Sequence, residues 1–349
     1  MKHIQPNHFK MYLSGNEKEM PVRLLIIFLL LANVTNAQEI KLLTSGTNTS
    51  IRGLSVVNDH IVWVSGSNGQ VGLSLDAGAN WKCITVKGYD KNDFRDIEAF
   101  SSTEAIIMAV GEPAYILKTI DAGKTWKLVF EDNRKGMFLD AMEFWNEMSG
   151  IVIGDPIDGK IFIARTFDGG ETWRGLPDAN YPKADSGEAL FAASGTNIKA
   201  VSKSEAVFVT GGLKSRLFVR NEKYDLPFEK GKQTAGAFSI AVNNKQNMII
   251  VGGDYANDTV TNNNCFLKGP SSVTWLKPDV APHGFRSCVE YISNWKAVCC
   301  GISGVDYSVD GGVSWKLIST GSFNVVRKAK KGKAVFLAGA DGRIAKLIY

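Results

Sequence analysis

An eight-residue phrase that returns at a fixed step limits this chain more than any other feature. The phrase is Ser/Thr-x-Asp-x-Gly-x-x-Trp, and it occupies residues 74–81, 119–126, 166–173 and 308–315. The steps from Asp76 to Asp121 and on to Asp168 are 45 and 47 residues, and the 142 residues to Asp310 make about three more. A tight hairpin explains the residue types. The Asp carboxylate accepts backbone N–H groups within the turn, and the Gly supplies a positive φ. The Trp then opens the next strand and covers the seam to a neighbouring sheet. Asp76, Asp121, Asp168 and Asp310, with Trp81, Trp126, Trp173 and Trp315, are therefore read as structural residues.

A second element is an apolar run ending in glycine. It recurs at 61–66, 105–111, 150–154, 207–211, 248–252, 297–301 and 335–339. Continuous apolar runs of this length suit strands buried on both faces. Seven of them, mostly 40–50 residues apart, predict an all-β fold: a seven-bladed β-propeller with about four strands per blade. The box keeps only its end, Trp275, in blade five and is lost in blade four. Blade seven stops at Tyr349 without an outer strand, while residues 40–46 match the stretch that follows the blade-six box. The N-terminal strand is thus expected to close the ring, which removes an open sheet edge. Residues 38–349 form one domain in this reading.

The segment before them reads as a cleaved signal peptide, residues 1–37. Arg23 precedes the apolar run 24–32, and Thr35 and Ala37 offer small residues at a cleavage site. Met20 offers a later start, which would make 1–19 an over-extended beginning. The run is too short to span a bilayer and nothing later is apolar enough, so a secreted or periplasmic chain without a transmembrane segment is expected. A net charge of +5 with no long Lys/Arg block gives no reason to expect nucleic acid as a partner. Lys328, Lys330, Lys331 and Lys333 read as a solvated hairpin tip. Five cysteines without metal-type spacing imply no metal site, and no cofactor motif is present. Cys288 and Cys299 face each other if Ser293-Asn294 is the turn, so a bridge is open, with buried thiols the preferred reading.

Candidate site residues fall into two sets. Arg52, Arg95, Lys199 and Arg286 hold corresponding places at the start of inner strands, with Arg327 one place later and Leu139 and Ser239 in blades three and five. Cations around one channel mouth attract an anionic ligand or peptide; the structural alternative is pairing with Asp96, Glu98 or Glu290. The second set is Asp155, Asp158, Glu188, Asp254 and Tyr255, in Gly-rich loops. Asp158 and Tyr255 are ligand-binding candidates. Glu188 lies in an insertion, since Gly154 and Gly211 are 57 residues apart. Glu188, Asp254 and Asp155 are the candidates for acid–base chemistry, against the plainer role of turn capping.

Residues 94–98, 110–111 and 116–126 resemble the photosystem II stability/assembly-factor type of Asp-box propeller, built from bacterial neuraminidase repeats. The phrases at 154–159, 187–196, 252–255 and 284–287 are similar to an exported bacterial branch of that group, often labelled oxidoreductase or glycosyl hydrolase. The resemblance covers 38–349 and implies the propeller fold and a binding or assembly role. The sialidases within the Asp-box superfamily imply the competing activity. They hold a carboxylate with three arginines, but the Arg-Ile-Pro-type motif that goes with the first is missing here. The sequence therefore points to an exported, monomeric binding or assembly module for a protein or anionic ligand, carbohydrate included. The alternative is a sialidase-like or other glycoside hydrolase rather than an oxidoreductase.

Overall fold

The glycine-ended runs are the second strands of seven sheets, and their burial shows why each is apolar throughout. In the computed structural model, which describes residues 38–349, Ala105–Ala109 has every side chain buried. Ile107 packs towards blade one with Trp63, Phe94 and Leu117, whereas Ile106 and Met108 pack towards blade three with Met142, Val152 and Phe162. Alternate side chains of a strand point to opposite faces, so a strand between two blades needs apolar residues at every position. Each fully buried Ile or Met contributes about 1.5–3 kcal/mol relative to exposure. The leader proposed for residues 1–37 lies outside the described residues.

Inner strands are Ile51–Val56, Phe94–Ala99, Leu139–Phe144, Ile198–Ala200, Ala235–Val242, Cys288–Tyr291 and Val325–Lys328. Each pairs antiparallel with its second strand, and the seven sheets make the seven-bladed β-propeller expected from the repeat. Glu39–Thr44 pairs antiparallel with Ile344–Ile348, so the last blade takes its outer strand from the start of the domain. Blade five carries two extra short strands, Glu188–Ala189 and Gly211–Gly212. Among the described residues, no helix is long and apolar enough to cross a membrane.

The four boxes share one hydrogen-bond scheme. Thr119 Oγ1 donates to Asp121 Oδ1 at 2.9 Å and accepts Gly123 N at 3.0 Å, while Asp121 Oδ1 also accepts Thr125 N at 2.9 Å. Asp76, Asp168 and Asp310 repeat the pattern. Hydroxyl and backbone donors of the turn hold Asp121 and Asp168 down to about 2, led in each case by the Thr hydroxyl. A carboxylate depressed in this way supports the fold above its ordinary range and stops doing so as the pH falls through about 2. The box glycine is required by its backbone: Gly123 has a φ of +75°, and a β-carbon there would also crowd Ile84 of the preceding blade at 3.1 Å.

Two expectations are corrected here. Cys288 lies opposite Cys300, and Cys299 opposite Val289, because the hairpin closes through Ile292–Lys296 rather than a two-residue turn. All five cysteines are free thiols, four of them buried and Cys83 exposed. The hairpin tip at 330–333 is exposed, but Lys330 is more than solvated: its ammonium reaches Glu98 of blade two at 2.6 Å.

Candidate functional site

Arg52 and Arg95 occupy equivalent places, and a backbone irregularity puts them there. Each is the unpaired residue of a bulge near the start of its inner strand, between Ile51 and Gly53 and between Phe94 and Asp96. A bulge adds one residue to one strand and re-aims its side chain. The same place is held by Asp140 in blade three and Phe238 in blade five, not by Leu139 and Ser239. Lys199 is elsewhere. Glu143 accepts the N–H of Ala200 just as Ser55 accepts that of Ala99, so Lys199 aligns with Glu98 and Glu143 at the far end of the strands. Arg286 lies ahead of its strand, fully buried, with its Nε on Asp306 at 2.7 Å, its Nη2 on the same carboxylate and its Nη1 on Phe285 O and Ser303 Oγ. The single cationic ring expected from the sequence is thus divided. Arg52 and Arg95 sit at one mouth, Lys199 at the other, and Arg286 is sealed inside blade six.

Between the mouths the axis is filled by residues 190–197. Ala193 O accepts Arg52 Nη1 from blade one at 3.1 Å, and Gly195 O accepts Arg327 Nη2 from blade seven at 3.0 Å. Ser194 Oγ donates to Ser287 O of blade six, Thr196 Oγ1 to Ser239 Oγ of blade five, and Leu190 N to Asp155 Oδ1 of blade three. Gly195 also abuts the Asp96 carboxylate of blade two so closely that no β-carbon fits. A segment that touches all six other blades can lie only on the axis. The small side chains of Ala192, Ala193, Ser194 and Gly195 suit that crowded position. Burial pushes the Asp96 carboxyl up to about 8, against the opposing pull of Arg327 and the N–H groups of Met142 and Ile97.

Glu188 anchors this plug. Its carboxylate is gripped by Arg216 at 2.6 and 3.1 Å, takes the Thr210 hydroxyl at 2.6 Å and accepts Asp185 N at 2.9 Å. Asp254 caps a single helical turn, accepting Ala256 N at 3.0 Å and the Asn257 amide at 2.9 Å. Asp155 holds Leu190, and burial raises its carboxyl above the usual range. Asp158 lies in a turn with a φ of +50°, and Tyr255 is 46% exposed, edge-on to Phe238 and Phe285. These loops follow the second strands and so belong to the end that carries Arg52 and Arg95. Among the described residues, no group of three or more His, Cys, Asp or Glu is arranged to hold a metal ion.

The opposite mouth is a cup of about 420 Å³. Its floor is made by the ends of inner strands: Glu98, Glu143, Lys199, Glu290 and Arg327, with Lys328, Lys330, Lys331 and Glu147 higher on the wall. Lys199 pairs with Glu143 at 2.9 Å. Burial works most strongly on Glu143, against its charge, but Lys199, Arg327 and the N–H of Ala200 together hold the carboxyl below its ordinary range. Glu290 goes the other way. Burial raises its carboxyl, and the attraction of Lys199 and Arg327 only partly offsets this. The sequence offered Arg327 as a late member of the cationic ring and Glu98 and Glu290 only as pairing neighbours, and Glu143 went unnoticed. The signal was present, because Glu98, Glu143, Lys199, Glu290 and Arg327 follow one another at the same strand position.

Residues 32–136 match the family model of the photosynthesis system II assembly factor YCF48. No curated protein matches the chain by sequence. Among solved structures, YCF48 bound to a D1 peptide superposes with a TM-score of 0.64 at 16% identity, covering 90% of this chain and 96% of that one. YCF48 from Cyanidioschyzon merolae gives 0.64 at 16% identity, covering 88% and 98%. A GH74 xyloglucanase from Xanthomonas campestris gives 0.59 at 12% identity, and this chain spans about half of it, 53%. Residues 32–136 thus match the photosystem II assembly-factor family model, and the domain 38–349 shares the β-propeller fold of the solved structures.

Proposed function

We propose that this chain is a binding module that receives an acidic protein segment, or another anionic ligand, in the cup around Lys199 and Arg327. The observation that carries this reading is the plug. It turns the channel into a blind recess whose base is made of charged strand ends. Two pairs, Lys199–Glu143 and Lys330–Glu98, are internally matched. Arg327, Lys328 and Lys331 then stand against Glu147 and Glu290, a balance that favours an anion. YCF48 with its bound D1 peptide supports a protein segment as the ligand class.

The acetylated, amidated peptide Asp-Glu-Asp-Glu is a direct probe. Calorimetry is expected to show that Arg327→Ala weakens its binding by about 10- to 100-fold, the usual cost of one charge-assisted contact. Arg52→Ala, at the opposite mouth, leaves it unchanged. Equal affinity in wild type and Arg327→Ala, with the variant folded by its melting curve, contradicts the reading.

A second reading, glycoside hydrolysis, rests on Glu143 and Glu290 lining one cup with proton affinities moved in opposite directions, the pattern of an acid and its partner carboxylate. Turnover of sialosides or aryl glycosides that is lost in Glu290→Gln would favour it over binding alone. We further propose export, with cleavage after Ala37. Mass spectrometry of the mature chain is expected to begin at Gln38, and membrane-bound protein with 20–37 intact contradicts that.

A further inference from the structure

We propose that the cup takes up its anionic ligand together with a proton on Glu290, so that this one side chain sets the pH range in which the module binds. The inference rests on the anion-binding reading above and adds its regulation. Glu290 stands on the inner strand of blade six, Cys288–Tyr291, and lines the cup. The charged groups that face it are Lys199 from blade four, Arg327 from blade seven and Glu143 from blade three. Lys199 is already engaged with Glu143, and Arg327 already gives one N–H to Gly195 of the plug. Behind Arg327 lie the buried Asp96 and Cys288.

A ligand carboxylate entering this floor meets two cations that already serve two glutamates. Carboxylates crowded around shared cations do not all stay ionised, and the one with the weakest compensation takes the proton. Glu143 has an ammonium at 2.9 Å and a backbone N–H at 3.1 Å. Glu290 likewise accepts a backbone N–H, from Lys328, but forms no such ion pair among the described residues, and burial already holds its carboxyl above the ordinary range. Protonated, it is a neutral group that donates a hydrogen bond to the incoming oxygen; ionised, it repels it. The sign follows. Affinity for an anion is full below the Glu290 pKa and falls as pH rises through it, by at most about tenfold per pH unit for a single proton.

The same Asp-Glu-Asp-Glu peptide tests this between pH 5.5 and 8, where its own carboxylates stay ionised. Wild-type affinity is expected to fall about tenfold or more across that range, and Glu290→Gln to bind at the high-affinity level throughout. Should Glu290→Gln fold poorly, calorimetry of the wild type in buffers of different ionisation enthalpy reads the same proton uptake. A slope that persists unchanged in Glu290→Gln assigns the titration to Asp96, Cys288 or a histidine and overturns the proposal. Binding without any slope, or without proton uptake, overturns it while leaving the cup as the site. No binding of the peptide at any pH removes the anion-binding reading and this inference with it.

Discussion

Removing residues 39–44 is expected to make the chain aggregate and to lower its melting temperature markedly. That strand pairs with Ile344–Ile348 along its length, Ile40 against Leu347 and Leu42 against Ala345. Ile40 and Leu43 also pack on the cluster that holds Phe336, Leu337 and Val62, which joins the first and last blades. Without them, the last sheet presents an unpaired edge next to an apolar face, a template for pairing with another copy. Losing two partly buried aliphatic side chains costs about 2–5 kcal/mol before the strand's backbone pairing is counted. Size-exclusion chromatography and thermal melting of the truncated protein check it. A monomer as heat-stable as the parent contradicts closure by this strand.

Glu188→Ala is expected to cost about 3 kcal/mol, the low end of the usual effect of breaking a buried ion pair, because Asp185 still faces Arg216. Arg216, 4% exposed, would lose the carboxylate that now takes two of its N–H groups and keep only Asp185, 3.0 Å from its Nη2, as a partner. Thr210 and the turn at Asp185 lose a partner in the same step. The damage is directional, because Glu188 pairs the start of the insertion with Gly212 just before the chain enters the axis. Limited proteolysis should therefore cut within 183–197 in the variant and not in the parent. A purely catalytic glutamate gives the opposite outcome, lost turnover with an unchanged melting curve and no new cleavage.

The sequence made the architecture legible because its repeat is carried by residues with one job each. The Asp, Gly and Trp of each box do what a hairpin against a preceding blade requires, and the middle strands are apolar for a geometric reason. The site was less legible because inner strands are short and bulged. One extra residue at Arg52, Arg95, Asp140 and Phe238 shifts everything after it, and a strand with no bulge in blade four put Lys199 out of phase with them. Counting back from glycines could not detect that. Nor could it show where the insertion after Gly154 goes. Its small residues look like a loop, and only their contacts with six blades reveal a plug. For Asp155, Glu188 and Asp254 the contacts favour the plainer expectation of capping over acid–base chemistry, since each holds backbone N–H groups in place.

Which mouth of the propeller binds is the point on which the functional account turns. Backbone chemical-shift mapping with the acetylated, amidated Asp-Glu-Asp-Glu peptide addresses it directly. Shifts are expected to be confined to 54–57, 98–100, 143–147, 199, 290–291 and 327–331, the residues that build the cup. Shifts gathered instead around Arg52, Arg95, Asp158 and Tyr255, with the cup silent, would place binding at the opposite mouth and contradict it.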